Sequence, residues 1–109
     1  MLMDLNMKIL VVDDLAPMRH VIKGILKQLG FKNIIEVEDG TEALRALKKE
    51  KFGLTLADWN MPNMNGLDLL KAVRSDETLK DIPFLMVTAG WPEKLRARVY
   101  LLKPKIMRL

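Results

Sequence analysis

The chain has 109 residues, half of them apolar, which is enough for one domain with a single small core. It contains no cysteine, which excludes a disulfide framework and thiolate chemistry. It also offers no apolar run of the roughly 18 residues that a membrane span needs, and its first residues do not resemble a signal peptide. We therefore expect a single cytoplasmic domain over residues 1–109, with no membrane partner.

The formal charge of +4 is unevenly distributed along the chain. Residues 1–89 contain 12 Lys and Arg against 13 Asp and Glu, whereas residues 90–109 contain six basic residues and only Glu93. A basic tail is compatible with nucleic-acid binding, but no recognised binding motif accompanies it. We predict no specific nucleic-acid partner.

The first 30 residues read as a strand followed by a helix. Lys8–Val12 is a continuous apolar run, typical of a strand that is buried on both faces. Pro17 suits the first turn of a helix, and Gly30 suits its end. At helical spacing between them lies an apolar stripe that we expect to face the core, made of Met18, Val21, Ile22, Ile25, Leu26 and Leu29. His20 lies off this stripe and is predicted to be a solvated surface residue.

The same alternation then continues with short loops. We predict strands at 34–37, 54–57 and 84–87 and helices at 41–50 and 67–74. Four strands alternating with helices indicate an α/β fold, a doubly wound parallel sheet built from right-handed crossovers. There is no Gly-x-Gly-x-x-Gly or Gly-Lys-Ser/Thr motif, so the dinucleotide and P-loop classes lose their main support.

Polar side chains end three of these strands. Asp13 and Asp14 follow the first strand, Asp58 the third and Thr88 the fourth. Because parallel strands bring their carboxyl ends to one edge, we expect three carboxylates and a hydroxyl to converge there. Asp58 alone could be merely a helix cap, but converging like charges favour a bound cation, and an all-oxygen site suits Mg²⁺. A carboxylate can also act as a nucleophile toward phosphoryl groups.

Four segments carry a resemblance to a known family. Val-Val-Asp-Asp ending at Asp14, the Asp58–Gly66 loop, Leu-Met-Val-Thr-Ala ending at Ala89 and the later Lys103-Pro104 resemble receiver domains of bacterial response regulators, of the chemotaxis type. The resemblance is continuous from about residue 7 to 89. It implies a flavodoxin-like sheet with strand order 2-1-3-4.

The family's functional residues fall on matching positions of this chain. The resemblance implies that Asp58 is the phosphoacceptor, that Asp14 binds Mg²⁺ directly and that Asp13 assists through water. Asn60 would offer its backbone carbonyl to the metal, and Thr88 would bind a phosphoryl oxygen. The implied partners are a histidine kinase of the chemotaxis type and the flagellar motor switch.

Two further expectations concern a fluorescence reporter and the kind of activity. Trp59, beside the acceptor, would report on the site by its fluorescence. The resemblance implies a stoichiometric phosphoacceptor that promotes its own phosphorylation and dephosphorylation, not an enzyme with turnover. A small-substrate phosphohydrolase is disfavoured, since we identify no elements of a substrate pocket.

The resemblance breaks after Ala89, and two interpretations of the tail stay open. In one, residues 92–98 form a short helix and 99–102 a fifth strand, with Lys103 binding the phosphoryl group and Tyr100 as the family's switch aromatic. In the other, residues 92–103 form one helix that Pro104 ends. The jump in charge at residue 90 favours a tail of different origin, and with it the helix.

The divergent tail of residues 90–109 leaves no room for the family's final helix. We therefore expect an uncovered sheet edge and face, and either a weakly stable monomer or a dimer formed through that edge or the tail. The output face would be impaired. The alternative functions are an interaction-only pseudo-receiver and a phosphate sink.

Overall fold

The computed structural model describes residues 4–88 and 105–108. Strands and helices alternate through the first of these ranges, as the sequence predicts. In chain order the elements are β1 Lys8–Val12, α1 Ala16–Gln28, β2 Asn33–Val37, α2 Gly40–Lys49, β3 Leu54–Asp58, α3 Gly66–Ser75, β4 Phe84–Thr88 and β5 Lys105–Arg108. None of the helices in these ranges is long and apolar enough to cross a membrane.

The five strands form one parallel sheet in the order β2-β1-β3-β4-β5. The predicted order 2-1-3-4 is confirmed, and a fifth strand extends it. This strand is Lys105–Arg108, whereas the strand interpretation of the tail placed it at residues 99–102, which lie outside the described residues. The uncovered edge that we expect is not at β4, because within the described residues β5 pairs with β4 from Leu85↔Lys105 to Thr88↔Arg108.

Helix α1 covers one face of the sheet, but only in part. Leu26 is buried and Ile22 is packed against the cluster on this face, as predicted. The predicted stripe is wrong for three of its members, since Val21, Ile25 and Leu29 are 56%, 53% and 63% exposed. On the opposite flank of α1, ion pairs tie the helix toward β2. The exposed flank of α1 has no neighbouring helix among the described residues.

Helices α2 and α3 cover the other face and contribute to the larger part of the core. The predicted inward residues Leu47, Leu67, Leu70 and Val73 are buried there, and Leu44 packs against them. Asp39 caps α2, where its side chain accepts a hydrogen bond from the N–H of Glu42. This two-faced packing holds the strands in register and therefore fixes their carboxyl ends relative to one another.

Candidate functional site

Strand register brings the predicted acids to one edge of the sheet. Val12 pairs with Ala57, so Asp13 and Asp58 each follow one member of that pair. Asp58 in turn pairs with Val87, which places Thr88 one residue further along β4 at the same edge. The convergence that the sequence predicted is confirmed for the backbone of all three strands.

The three carboxylates form a compact cluster. One oxygen each from Asp13, Asp14 and Asp58 lies within 4.8 Å of the others. Asp13 is buried, Asp58 half-buried and Asp14 exposed, so the cluster is reachable from solvent on one side. Asp14 also lines a shallow cavity with Asn60, Met61, Pro62 and Asn65. Three carboxylate oxygens this close, open to water, are a donor set that suits Mg²⁺ with some of its waters retained.

Burial and neighbouring charge raise the pKa values of Asp58 and Asp13. Burial, followed by the charge of Asp13, raises the pKa of Asp58 to about 6, against the lowering effect of the N–H groups of Trp59 and Asn60. Burial also raises the pKa of Asp13, and the charge of Asp14 adds to this effect. The unfavourable charge density therefore exists within the protein itself, and a cation would relieve it.

The loop that follows Asp58 folds back beneath it. The N–H of Gly66 donates to the carbonyl oxygen of Trp59 at 2.9 Å. A Cβ on Gly66 would clash with the carbonyl oxygen of Asp58 and lie 2.6 Å from the sulfur of Met86. Only glycine fits at this position, so Gly66 is a requirement of the site as well as of the turn.

A second part of this loop is anchored to neighbouring elements. Asn63 has a φ of 67°, in the left-handed region that asparagine tolerates, and its Nδ2 donates to Oδ2 of Asp39 at 3.1 Å. Asn65 caps α3 by accepting from the N–H of Asp68 at 2.8 Å. These contacts hold the segment that carries Asn60 against both α2 and α3.

Arg19 is a component of the site region that sequence reasoning missed. Its Nη1 donates to the carbonyl oxygen of Asp13 at 2.7 Å, and its Nε lies 3.4 Å from Oε1 of Glu36 on β2. Arg19 lies off the apolar stripe of α1, and its partner is a backbone carbonyl. Nothing in the sequence pattern distinguishes it from a solvated arginine.

The other predicted residues have mixed outcomes. Trp59 is buried in the core cluster on the α2–α3 side, directly after Asp58, which is compatible with the predicted reporter role. His20 is exposed, as predicted. Lys103 and Tyr100 lie outside the described residues, so their predicted roles stay predictions.

A doubly wound sheet with three acids at the carboxyl edge defines a receiver-type domain. Residues 9–104 match the response regulator receiver domain family, and the chain belongs to it. The chain is 55% identical over 84 residues to chemotaxis protein CheY-3 of Vibrio cholerae. The matched segment covers 77% of this chain and 65% of that protein. It is 57% identical over 83 residues to chemotaxis protein CheY of Pseudomonas aeruginosa, covering 76% of this chain and 67% of that one.

Solved structures of receiver domains share the fold. Vibrio cholerae chemotaxis protein CheY4 superposes with a TM-score of 0.83 at 30% identity, over 93% of this chain and 83% of that chain. The receiver domain of the histidine kinase CKI1 from Arabidopsis thaliana, complexed with Mg²⁺ and BeF₃⁻, gives 0.82 at 25% identity, over 94% and 80%. The protein is thus a receiver domain of a CheY-like response regulator, and it spans about two thirds of the length of its curated relatives.

Proposed function

We propose that the protein is an Mg²⁺-dependent phosphoacceptor of a chemotaxis-type two-component phosphorelay, with Asp58 as the residue that takes the phosphoryl group. The single observation that carries this proposal is the acid cluster, in which Asp13, Asp14 and Asp58 lie within 4.8 Å at the carboxyl edge of the sheet. When bound, Mg²⁺ would neutralise these carboxylates and the charge on an incoming phosphoryl group.

In this proposal each residue has its own task. A carboxylate oxygen of Asp58 forms the bond to phosphorus while the bond between phosphorus and the donor breaks, which gives an aspartyl-phosphate. The N–H groups of Trp59 and Asn60, which already bind the Asp58 carboxylate, hold it in the attacking orientation. Asp13 and Asp14 would hold the metal with the backbone carbonyl of Asn60, and Thr88 would receive a phosphoryl oxygen.

Lys103 is the proposed cationic partner of the phosphoryl group, and Tyr100 the proposed switch residue. Both proposals rest on the family resemblance alone. The register of β5 does not support the first, because Lys103 precedes Lys105, which pairs with Leu85, whereas Thr88 pairs with Arg108 at the other end of the strand. A matched pair of variants tests the first. Lys103→Gln should slow phosphorylation and leave Mg²⁺ affinity unchanged, whereas Lys105→Gln, two residues further along, should change neither.

The proposed donor is a histidine kinase of the chemotaxis type, supported by the names of the two curated relatives. The similarity to each of them covers about three quarters of this chain, and output contacts made beyond that part would be altered. We therefore propose that phosphorylation is kept while contact with the flagellar motor switch is weakened, which would make the protein a phosphate sink. An interaction-only pseudo-receiver is the alternative if no phosphoryl group is accepted.

Dimerisation also stays a proposal. The apolar residues exposed on α1 are the feature that supports it, because a contiguous exposed apolar surface favours association. Sedimentation equilibrium should show an apparent mass that rises with concentration. A monomer at every concentration would contradict it.

Intact-protein mass after incubation with acetyl phosphate tests the function. We expect a single phosphoryl adduct that requires Mg²⁺ and is lost in Asp58→Asn. Asp68→Asn is the matched control, because Asp68 is an exposed acid in the first turn of α3, outside the cluster. No adduct on a protein that still binds Mg²⁺ would refute phosphoacceptor function and favour the interaction-only alternative.

A further inference from the structure

Arg19 connects the loop of residues 13–15, which carries Asp13 and Asp14 and is called the acidic loop below, to β2 from inside the fold. It lies in the first turn of α1, and its side chain is only 12% exposed. Burying a guanidinium is unfavourable unless its donors find partners. Here Nη1 donates to the carbonyl oxygen of Asp13 at 2.7 Å. Nε lies 3.4 Å from Oε1 of Glu36, an ion-pair distance, but within the described residues it makes no hydrogen bond, so Glu36 offsets the charge without satisfying that donor. Both partners belong to segments that border the acid cluster.

The hydrogen bond from Arg19 acts on the peptide unit that joins the two loop acids. The carbonyl oxygen of Asp13 and the N–H of Asp14 belong to one planar unit, so fixing the oxygen fixes the direction in which the chain enters Asp14. Asp13 is held on its other side as well, since its N–H donates to the carbonyl oxygen of Val37 at 3.2 Å. Its Oδ1 accepts from the N–H of Leu15 at 2.9 Å.

We infer that Arg19 is a positioning residue for metal binding, which fixes the Asp13–Asp14 peptide so that both carboxylates stay within reach of Asp58. The inference rests on the proposed role of these acids as metal ligands. Glu36 contributes to this arrangement, because its carboxylate lies 3.4 Å from Nε and offsets the charge of the guanidinium. Arg19 therefore contacts the acidic loop at the backbone carbonyl oxygen of Asp13.

Electrostatics and positioning predict opposite effects of removing Arg19. If only its charge mattered, the loss of a cation near three carboxylates would tighten Mg²⁺ binding, because like charges repel. If Arg19 positions the loop, its loss should weaken Mg²⁺ binding. The sign of the change therefore distinguishes the two roles.

The chain contains a matched control for the charge. Lys23 lies one turn further along α1 and also pairs with Glu36, at 3.5 Å. Within residues 4–88, the hydrogen bonds of the acidic loop include Arg19 but not Lys23. Lys23→Met therefore removes the same charge from the same helix without releasing the loop.

Calorimetric titration of Mg²⁺ tests the inference at fixed pH. We expect Arg19→Met to weaken Mg²⁺ binding about tenfold, which is a common effect of replacing a residue that orients metal ligands. Lys23→Met should leave the affinity unchanged or slightly higher, and Arg19→Lys, which keeps one donor, should recover part of the loss. Thermal unfolding of each variant without metal confirms that the titrated protein is folded.

Equal or tighter Mg²⁺ binding by Arg19→Met would overturn the inference, and so would an equal loss in Lys23→Met. A second readout needs no metal. In the amide NMR spectrum of the metal-free protein, Asp14 and Leu15 should shift and exchange faster in Arg19→Met but not in Lys23→Met. If the unmodified protein bound no Mg²⁺, the proposed function would fail, and this spectrum would still decide whether Arg19 orders the loop.

Discussion

Replacing Gly66 by alanine should disturb Asp58, the proposed phosphoacceptor, more than any conservative change elsewhere in the loop. The added methyl would clash with the carbonyl oxygen of Asp58 and lie 2.6 Å from the sulfur of Met86 and 3.1 Å from the Cα of Trp59. Two of these three neighbours are backbone atoms, which cannot rotate away. Overpacking of this kind costs about 1–3 kcal/mol, and we expect the upper half of that range.

Helix propensity offsets part of this cost. Alanine is favoured over glycine in a helix interior by about 0.5–1 kcal/mol, although Gly66 is the first helical residue and gains less. The expected net loss for Gly66→Ala is therefore about 2 kcal/mol in the free energy of unfolding. Because the clash falls on Asp58, whose carboxylate belongs to the acid cluster, Mg²⁺ affinity should fall as well.

Gly24→Ala is the matched control. Gly24 lies within α1, and a Cβ there would meet nothing within 4 Å. Gly24→Ala should raise the free energy of unfolding by about 0.5–1 kcal/mol. Urea unfolding followed by circular dichroism measures both variants, with equal slopes required for the comparison. Equal midpoints for Gly66→Ala and Gly24→Ala would refute the close approach of Gly66 to Asp58.

Three further predictions concern stability. Thr55 is fully buried, and its hydroxyl has no hydrogen-bond partner among residues 4–88 and 105–108. Thr55→Val should therefore stabilise the protein by about 1 kcal/mol in urea unfolding; a loss of stability would show that the hydroxyl is satisfied. Asn65→Ala should cost about 1 kcal/mol by removing the cap of α3, and an unchanged urea midpoint would refute the cap. The pKa of Asp58 is raised from 3.8 to about 6. The native state then keeps a proton that the unfolded state releases, and stability without metal should fall as pH rises from about 4 to 6. Asp58→Asn should lessen this fall by about 1 kcal/mol, allowing for solvent screening at a partly exposed site; an unchanged pH profile would contradict the raised pKa.

The sequence predicted the sheet well for a physical reason. Strands such as Lys8–Val12 are buried on both faces, so their continuous apolar runs reflect the fold directly. The acid cluster was predictable for a related reason. Once parallel strands are assumed, their carboxyl ends must share an edge, and Asp13 and Asp58 follow from position alone.

Packing decided what the sequence could not. Apolar periodicity identified the stripe of α1, but whether Val21 and Ile25 are buried depends on which elements lie beside that helix. The role of Arg19 depends on a contact to a backbone carbonyl, which any residue would provide equally. One interpretation of the tail placed a fifth strand at residues 99–102, but neither placed one at Lys105–Arg108. That segment is short and half basic, so only its pairing with β4 identifies it.

Locating the phosphoryl group on the chain is the most direct test of the central claim. The protein, labelled with acetyl phosphate and Mg²⁺, would be digested in the cold at acidic pH and its peptides identified by mass. We predict that the phosphoryl group is carried by the peptide containing Asp58, and that no other peptide carries it in Asp58→Asn. A phosphoryl group on an acid outside the cluster, such as Asp68, or one retained after Asp58→Asn, would contradict Asp58 as the acceptor.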